Sequence, residues 1–196
     1  VLRGQGWLTD KSLNCGVQYI GRGNVGSKIL NNEIYDCAIG IMVKHNNDDA
    51  SIGEAEIAYN YIHDCYFPQS VLGKGGFYGN PVYINFHDNI TDFISLGDNG
   101  GGDQGHHTII NHNTITGSKG IELQNPSEGP ITNCTITNNI FPTKATYGST
   151  EADNSWDYNM YGDDPALGDH DIGKSVPVFA GGASPANIDG YKLTIS

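Results

Sequence analysis

The sequence predicts an all-β protein in which each repeat of the chain forms one turn of a coil of stacked parallel strands. Six times along the chain, an apolar residue stands three positions before an asparagine, and we call this pattern the frame. Successive frame asparagines are 20 to 29 residues apart. That spacing is typical of repeat units that bury their apolar faces on one another. The runs around each asparagine are short, β-branched and separated by Gly, Asn and Asp, which favours strands over helices. The six asparagines are Asn32, Asn60, Asn89, Asn113, Asn139 and Asn159.

A second short apolar run after the asparagine predicts a further strand in each repeat. The clearest second runs are residues 39–43 and 120–123, and residues 94–98 and 71–74 are predicted to fill the turns between them. Strands of successive turns should then stack at a spacing of ~4.8 Å.

The asparagines themselves are predicted to be structural. At a tight bend between two strands, an asparagine side chain bonds to main-chain groups and tolerates a left-handed backbone. Stacked at one position in successive turns, such side chains form a ladder of amide hydrogen bonds.

Two segments carry a resemblance to a known family. Residues 27–41, and residues 108–115 followed by Gly120 and Ile121, resemble the repeat of right-handed parallel β-helix proteins of the pectate-lyase-like superfamily. The resemblance covers roughly residues 15–161. It implies a solenoid of about seven turns, with residues 1–161 forming the turns and residues 162–196 an irregular C-terminal closing segment. The superfamily includes lyases, glycosidases, epimerases, phage spikes and binding modules, so the resemblance names no single reaction.

Residues 157–179 of the tail resemble closing segments of secreted bacterial β-helix proteins. Those segments usually have an acidic residue before the proline, whereas this chain has Val176. With few charged residues and many glycines, this resemblance implies a secreted or cell-surface bacterial protein. The chain begins at Val1 without a methionine and stops within a strand-like run, so we expect additional domains of the same parent chain.

The formal net charge of −12 limits the partners. A strongly acidic surface opposes nucleic acid, and it equally opposes an unassisted polyanionic sugar. No apolar run approaches the length of a membrane span. The resemblance favours a polysaccharide partner, for which the 11 tyrosines supply stacking rings.

A glycine-rich acidic loop is the candidate metal site. Asp98, Asn99 and Asp103 surround three glycines, which let oxygen ligands converge on a hard cation such as calcium. The alternative interpretation is a solvated loop.

One candidate site lies on the outer face of the second strands. Strand alternation places Met42 and Lys44 outward, and aligning 121–124 with 41–44 places Glu122 and Gln124 on the same face. Lys44 and Glu122 are the predicted catalytic residues of this row. His45, Lys74 and Gln124 are its predicted substrate-binding residues, with Asp98 beside them. The alternative is an ordinary polar exterior.

A second candidate row follows the asparagines. Asp36 and Asp64 share one offset in consecutive repeats, and His63 stands directly before the second of them. Two neighbouring carboxylates provide the acid and base of a glycosidase, with His63 as a substrate-binding residue. Aspartates at such positions also cap bends through bonds to the main chain.

Two cysteines share an offset as well. Cys37 and Cys65 each follow a frame asparagine by five residues, so they are predicted to stack on adjacent turns. A spacing of ~4.8 Å permits a disulfide. Stacked free thiols fit the same positions.

Three function classes follow. The first is an extracellular polysaccharide lyase or glycoside hydrolase that binds its substrate along an outer strand face. The second is a non-catalytic glycan-binding module of a larger secreted protein, and the third is a structural rod such as an adhesin. A lyase needs a base and a cation to neutralise the uronide, and neither Arg3 nor Arg22 lies in a recognisable lyase signature.

Overall fold

The computed structural model describes residues 2–3, 15–20, 26–44, 55–65, 77–79, 84–97, 107–117, 120–124, 132–141, 154–162, 168–173, 179 and 191. Across these residues the chain forms short strands in parallel sheets, with almost no helix. The all-β prediction is confirmed.

Three parallel sheets contain all the strands of the described residues. Sheet A has seven: β1 (Leu2–Arg3), β4 (Glu33–Tyr35), β7 (Tyr61–His63), β10 (Ile90–Thr91), β13 (Thr114–Ile115), β16 (Ile140–Phe141) and β18 (Met160–Tyr161). Sheet B has five: β2 (Cys15–Ile20), β5 (Ile39–Lys44), β8 (Phe77–Gly79), β11 (Ile94–Gly97) and β14 (Ile121–Gln124). Sheet C has six: β3 (Lys28–Leu30), β6 (Ala55–Ala58), β9 (Ile84–His87), β12 (Ile109–Asn111), β15 (Thr135–Thr137) and β17 (Ser155–Asp157).

The chain visits the sheets in a fixed cyclic order. It runs through sheet C, bends at a frame asparagine into sheet A, and continues into sheet B, as in β3, β4 and β5 or β9, β10 and β11. We call one such passage a circuit. Each circuit pairs in register with the same strands of the next, so the asparagine repeat is a unit of strands.

The core lies between the sheets and contains the apolar residues of the frame. Ile57, Phe86 and Ile110 are stacked partners in sheet C and are fully or almost fully buried. Ile34 and Ile62 of sheet A are buried with them in one hydrophobic cluster. Burying a side chain of this size stabilises the fold by about 1.5–3 kcal/mol, so the frame fixes both the register and the core.

The strands predicted at 39–43, 94–98 and 120–123 are present within one or two residues of their expected bounds. The predicted segment 71–74 lies outside the described residues, and Phe77–Gly79 (β8) occupies the place between β5 and β11. The connection from sheet A to sheet B spans 13 residues in this circuit, from His63 to Phe77, against three from Tyr35 to Ile39.

Candidate functional site

The frame asparagines form a hydrogen-bonded ladder between sheets C and A. The main-chain N–H of each of the first five frame asparagines donates to the Oδ1 of the asparagine in the next circuit, at 2.9–3.0 Å. In Asn113, Nδ2 also donates to the carbonyls of Asn111 and Phe86, both at 2.9 Å. Asn60, Asn89, Asn113, Asn139 and Asn159 are each 1% exposed. The structural role predicted for them is confirmed.

The left-handed backbone was predicted at the asparagine of the bend. In the structure it is at the residue before the asparagine. Six such residues have φ between 52° and 59°. The bend therefore falls one position early, and this leaves the asparagine side chain inside, where it reaches the main chain of two circuits. We call these residues the edge column: Asn31, Tyr59, Asp88, His112, Asn138 and Tyr158.

The outer face of sheet A brings together residues one and three positions after each asparagine. Tyr35 pairs with His63, and the register of Ile62 with Thr91 places Asp92 beside His63. The register of Thr91 with Ile115 likewise places Thr116 beside Asp92. The predicted candidates lay four and five residues after the asparagine. His63 was therefore predicted only as a neighbour of Asp64, and Tyr61, Asp92 and Thr116 were not predicted.

Three rings form a stack on this face. Tyr35 lies on His63 with ring centroids 5.2 Å apart, and His63 lies on Tyr61 at 4.1 Å. Tyr191 of the C-terminal segment contacts Tyr61 at 6.1 Å. Burial raises the pKa of Tyr61 to about 12, helped by Tyr191 and by nearby carboxylates. Tyr61 therefore stays neutral, and the ring stack is apolar with polar edges.

Two carboxylates flank the central ring. Nδ1 of His63 is 2.8 Å from the Asp64 carboxylate, and its Nε2 is 3.5 Å from that of Glu33. The Asp64 side chain is 76% exposed. We call Tyr35, Tyr61 and His63 with Glu33 and Asp64 the sheet A platform. Two predicted site residues, His63 and Asp64, are thus in direct contact.

Asp36 occupies the position of Asp64 one circuit earlier. Both aspartates follow paired strand residues, Tyr35 and His63, and both have a left-handed backbone, with φ of 56° and 51°. Aspartate tolerates this conformation better than most residues. The bend geometry favours the structural alternative for Asp36, whereas Asp64 also contacts His63.

Asp92 is a largely buried carboxyl group below the platform. It accepts the main-chain N–H of Cys65 at 2.9 Å and the hydroxyl of Thr116 at 3.2 Å. Burial raises its pKa above the ordinary value, and the negative charge of Asp64 adds to the rise. Gly117 approaches so closely that a Cβ there would collide with the Asp92 carbonyl oxygen. The offset of three residues from Asn89 is the sequence signal that identifies this position.

The stacked cysteines are free thiols. Cys37 and Cys65 are buried, and both Sγ atoms lie within hydrogen-bonding distance of the carbonyl two residues before them. A hydrogen bond with Cys37, together with burial, raises the pKa of the Cys65 thiol. Of the two alternatives for this pair, the structure contains the free thiols.

The row predicted on sheet B is aligned but covered in part. Glu122 pairs with Ser95, which aligns through Tyr78 with Met42. Met42 was predicted to face outward, yet it is fully buried, and Ser95 is 1% exposed. The rest of the chain therefore shields this face at two of its strands.

Lys44 is the last residue of β5, and Gln124 is the last residue of β14. The strand register places the two residues at the same position of their circuits. Two strands, β8 and β11, separate them. His45, Lys74 and Asp98 lie outside the described residues.

The predicted calcium ligands Asp98, Asn99 and Asp103 also lie outside the described residues. Within the described part of the chain, no group of three or more His, Cys, Asp or Glu side chains is arranged to hold a metal ion. No helix among the residues described is both long and apolar enough to cross a membrane. No protein-family model, curated protein or solved structure matches this chain.

Proposed function

We propose that this chain is a right-handed parallel β-helix of about seven turns that binds an extracellular polysaccharide on the outer face of sheet A. The cyclic order of the three sheets and the seven strands of sheet A support the winding. The asparagine ladder supports it as well, because it joins the same position of six circuits. A secreted or cell-surface location and further domains of a parent chain belong to the same proposal.

The sheet A platform is the observation that carries the proposed function. A tyrosine ring offers a flat apolar surface to the C–H face of a sugar. In the platform we assign this role to Tyr35, because His63 lies between Tyr35 and Tyr61 and Tyr61 is 8% exposed. The carboxylates of Glu33 and Asp64, whose side chains are 43% and 76% exposed, accept hydrogen bonds from sugar hydroxyls. Apolar contact with a few polar groups is the usual composition of a site that binds a small organic group.

The charge of the molecule selects the kind of glycan. With a formal net charge of −12, the chain repels a polyuronide unless a cation intervenes. Two of the acidic residues that give this charge, Glu33 and Asp64, lie at the point of contact. We therefore propose a neutral or amino-substituted polysaccharide as the ligand.

The experiment is a glycan array followed by titration of the glycans that bind. Tyr35→Ala should weaken binding by about tenfold or more, because aromatic anchors dominate such contacts. Ser155→Ala, an exposed substitution on sheet C, is the matched control and should leave affinity unchanged. If the wild-type chain binds no glycan, the proposal is wrong.

Catalysis is a second candidate, and the contact of His63 with Asp64 favours a hydrolase. Asp64 would act with Asp36 as the acid and base pair of a glycosidase. A lyase would instead use Lys44 and Glu122 on sheet B. Assays for new reducing ends and for unsaturated products separate the two reactions. If turnover occurs, Asp64→Asn should abolish it under the first mechanism, and Lys44→Ala or Glu122→Ala under the second.

Calcium at Asp98, Asn99 and Asp103 stays a prediction. Binding to the identified glycan should weaken after chelation and return on addition of calcium. If chelation does not change binding, calcium has no role in glycan binding, and the proposal for the sheet A platform still stands.

A further inference from the structure

The edge column contains two residues that the fold does not explain. A left-handed backbone favours Gly and Asn, and Asn indeed occupies two of the six positions, Asn31 and Asn138. Tyr59 and Tyr158 adopt the same conformation, with φ of 59° and 57°. Strain at a bulky residue of this kind points to a role beyond the fold itself.

Both tyrosine rings are held in place by the next circuit. Tyr59 meets the ring of His87 edge-on at 5.7 Å, and Tyr158 is stacked on His170 at 4.5 Å. Each histidine is in turn fixed by a carboxylate at its Nδ1, at 2.8 and 2.9 Å. The tyrosines remain 54% and 56% exposed. Two large rings are therefore presented to solvent in fixed orientations, which lowers the ordering cost of binding.

The ladder does not depend on these side chains. At the Tyr59 bend, the main-chain N–H and side-chain amide of Asn60 make the bonds to Asn89, Ile29 and Ala58. Replacing Tyr59 by Asn reproduces the residue that serves at Asn31 and Asn138. The fold should accept that change, and the strain of the left-handed tyrosine should fall.

The two tyrosines are far apart but lie on one line. Four strand spacings separate their circuits in sheet C, which corresponds to ~19 Å along the stacking direction. Between them lie Asp88, His112 and Asn138, which are hydrogen-bonding side chains. Two aromatic contacts joined by polar ones suit a linear chain of sugars better than a compact ligand.

We propose that the edge column is a second polysaccharide-binding surface, on which an extended glycan lies along the stacking direction with Tyr59 and Tyr158 as its two anchors. It rests on the proposed function, because the ligand is the same class of glycan. Two anchors on one chain raise affinity through effective concentration only when the ligand spans both.

The test compares the wild-type chain with the double substitution Tyr59→Asn/Tyr158→Asn, using the glycan found on the array at two lengths. The wild-type chain should bind the long form at least tenfold more tightly than an oligosaccharide too short to span both rings. The double variant should lose that length dependence, while its urea midpoint stays the same or rises. Tyr59→Gly/Tyr158→Gly, which also accepts a positive φ, is the second variant if the first folds poorly.

The outcomes separate the two proposals. Absence of any glycan binding by the wild-type chain overturns the proposed function and this inference with it. A second outcome overturns the edge surface alone. In that outcome, Tyr35→Ala weakens glycan binding, but the dependence of affinity on glycan length is unchanged in both double variants.

Discussion

A buried asparagine with every polar group satisfied is the smallest unit of this fold. Asn113 accepts on Oδ1 from Asn89 and donates to the carbonyls of Asn111 and Phe86. Its own main-chain N–H donates to Asn139. The residue therefore joins three successive circuits, and no apolar side chain can replace these bonds.

Asn113→Ala should lower the free energy of unfolding by about 3 kcal/mol or more, because buried main-chain groups lose their partners at about 1–3 kcal/mol each. Urea unfolding measures the change. Asn138→Gly is the matched control: it lies beside the ladder, is exposed, has a φ of 57° that glycine adopts freely, and should change stability little. If the two substitutions lowered the free energy of unfolding equally, the ladder would not be what stabilises the fold.

The raised pKa of Asp92 gives a prediction with a definite sign. A carboxyl whose pKa is higher in the folded state stabilises the fold when protonated, and that contribution is lost as pH rises through the folded pKa. Asp92→Asn removes the ionisation and keeps an oxygen for the Cys65 N–H. Relative to wild type, the variant should therefore gain stability between pH 4 and pH 7. The urea midpoints at the two pH values measure this, and a relative loss at pH 7 would show that the carboxylate itself is required.

At the scale of the element, sequence predicted the strands beside each asparagine because the frame fixes their register. It did not predict β8 at Phe77–Gly79, because the stretch of sequence from His63 to Phe77 is long and carries no frame of its own. It also placed Met42 on an open face, since alternation gives the direction of a side chain but not what lies over it. Sequence predicted His63 and Asp64 but not the rest of the platform, because its other residues are found by counting one and three residues from the asparagine. That count becomes meaningful only once the bend is located.

Among the described residues, the last rung of the ladder is a carboxylate. The main-chain N–H of Asn159 donates to Oδ1 of Asp171 at 2.6 Å, and Oδ2 accepts from Gly168 at 2.8 Å. The aspartate side chain has no amide N–H, so Asp171 has no counterpart of the side-chain amide bonds that the asparagines donate. Ile172 nevertheless pairs in parallel with Met160, so the repeat reaches this residue.

This closing circuit should be most stable in a window of mildly acidic pH. A hydrogen bond with Asp157 raises the pKa of His170. The contribution of His170 to stability is therefore full below pH 6.5 and is lost as pH rises through the folded pKa. His170 in turn lowers the pKa of Asp157, whose contribution is full above 3.8 and is lost as pH falls. The amide protection factors of residues 168–172, which correct for the intrinsic pH dependence of exchange, should therefore be highest between these values. His170→Gln should flatten the profile, and an unchanged profile would exclude the pair as its cause.

At the scale of the whole molecule, charge and shape act together. The stacked circuits give long faces with repeated positions, and the net charge of −12 disfavours anionic ligands on them. Binding of a neutral glycan to the platform should change little with ionic strength. Any residual binding of a polyuronide should strengthen as salt is added, because screening weakens the repulsion. Titrations at two salt concentrations measure both, and a polyuronide that binds more tightly at low salt would contradict the proposed selectivity.

The most direct test of the proposed function is a crystal structure of this chain with the oligosaccharide selected on the array. We predict a sugar ring over Tyr35, with hydroxyls hydrogen-bonded to Glu33 or Asp64. Sugar bound along sheet B beside Lys44 and Glu122, with the sheet A platform vacant, would contradict it.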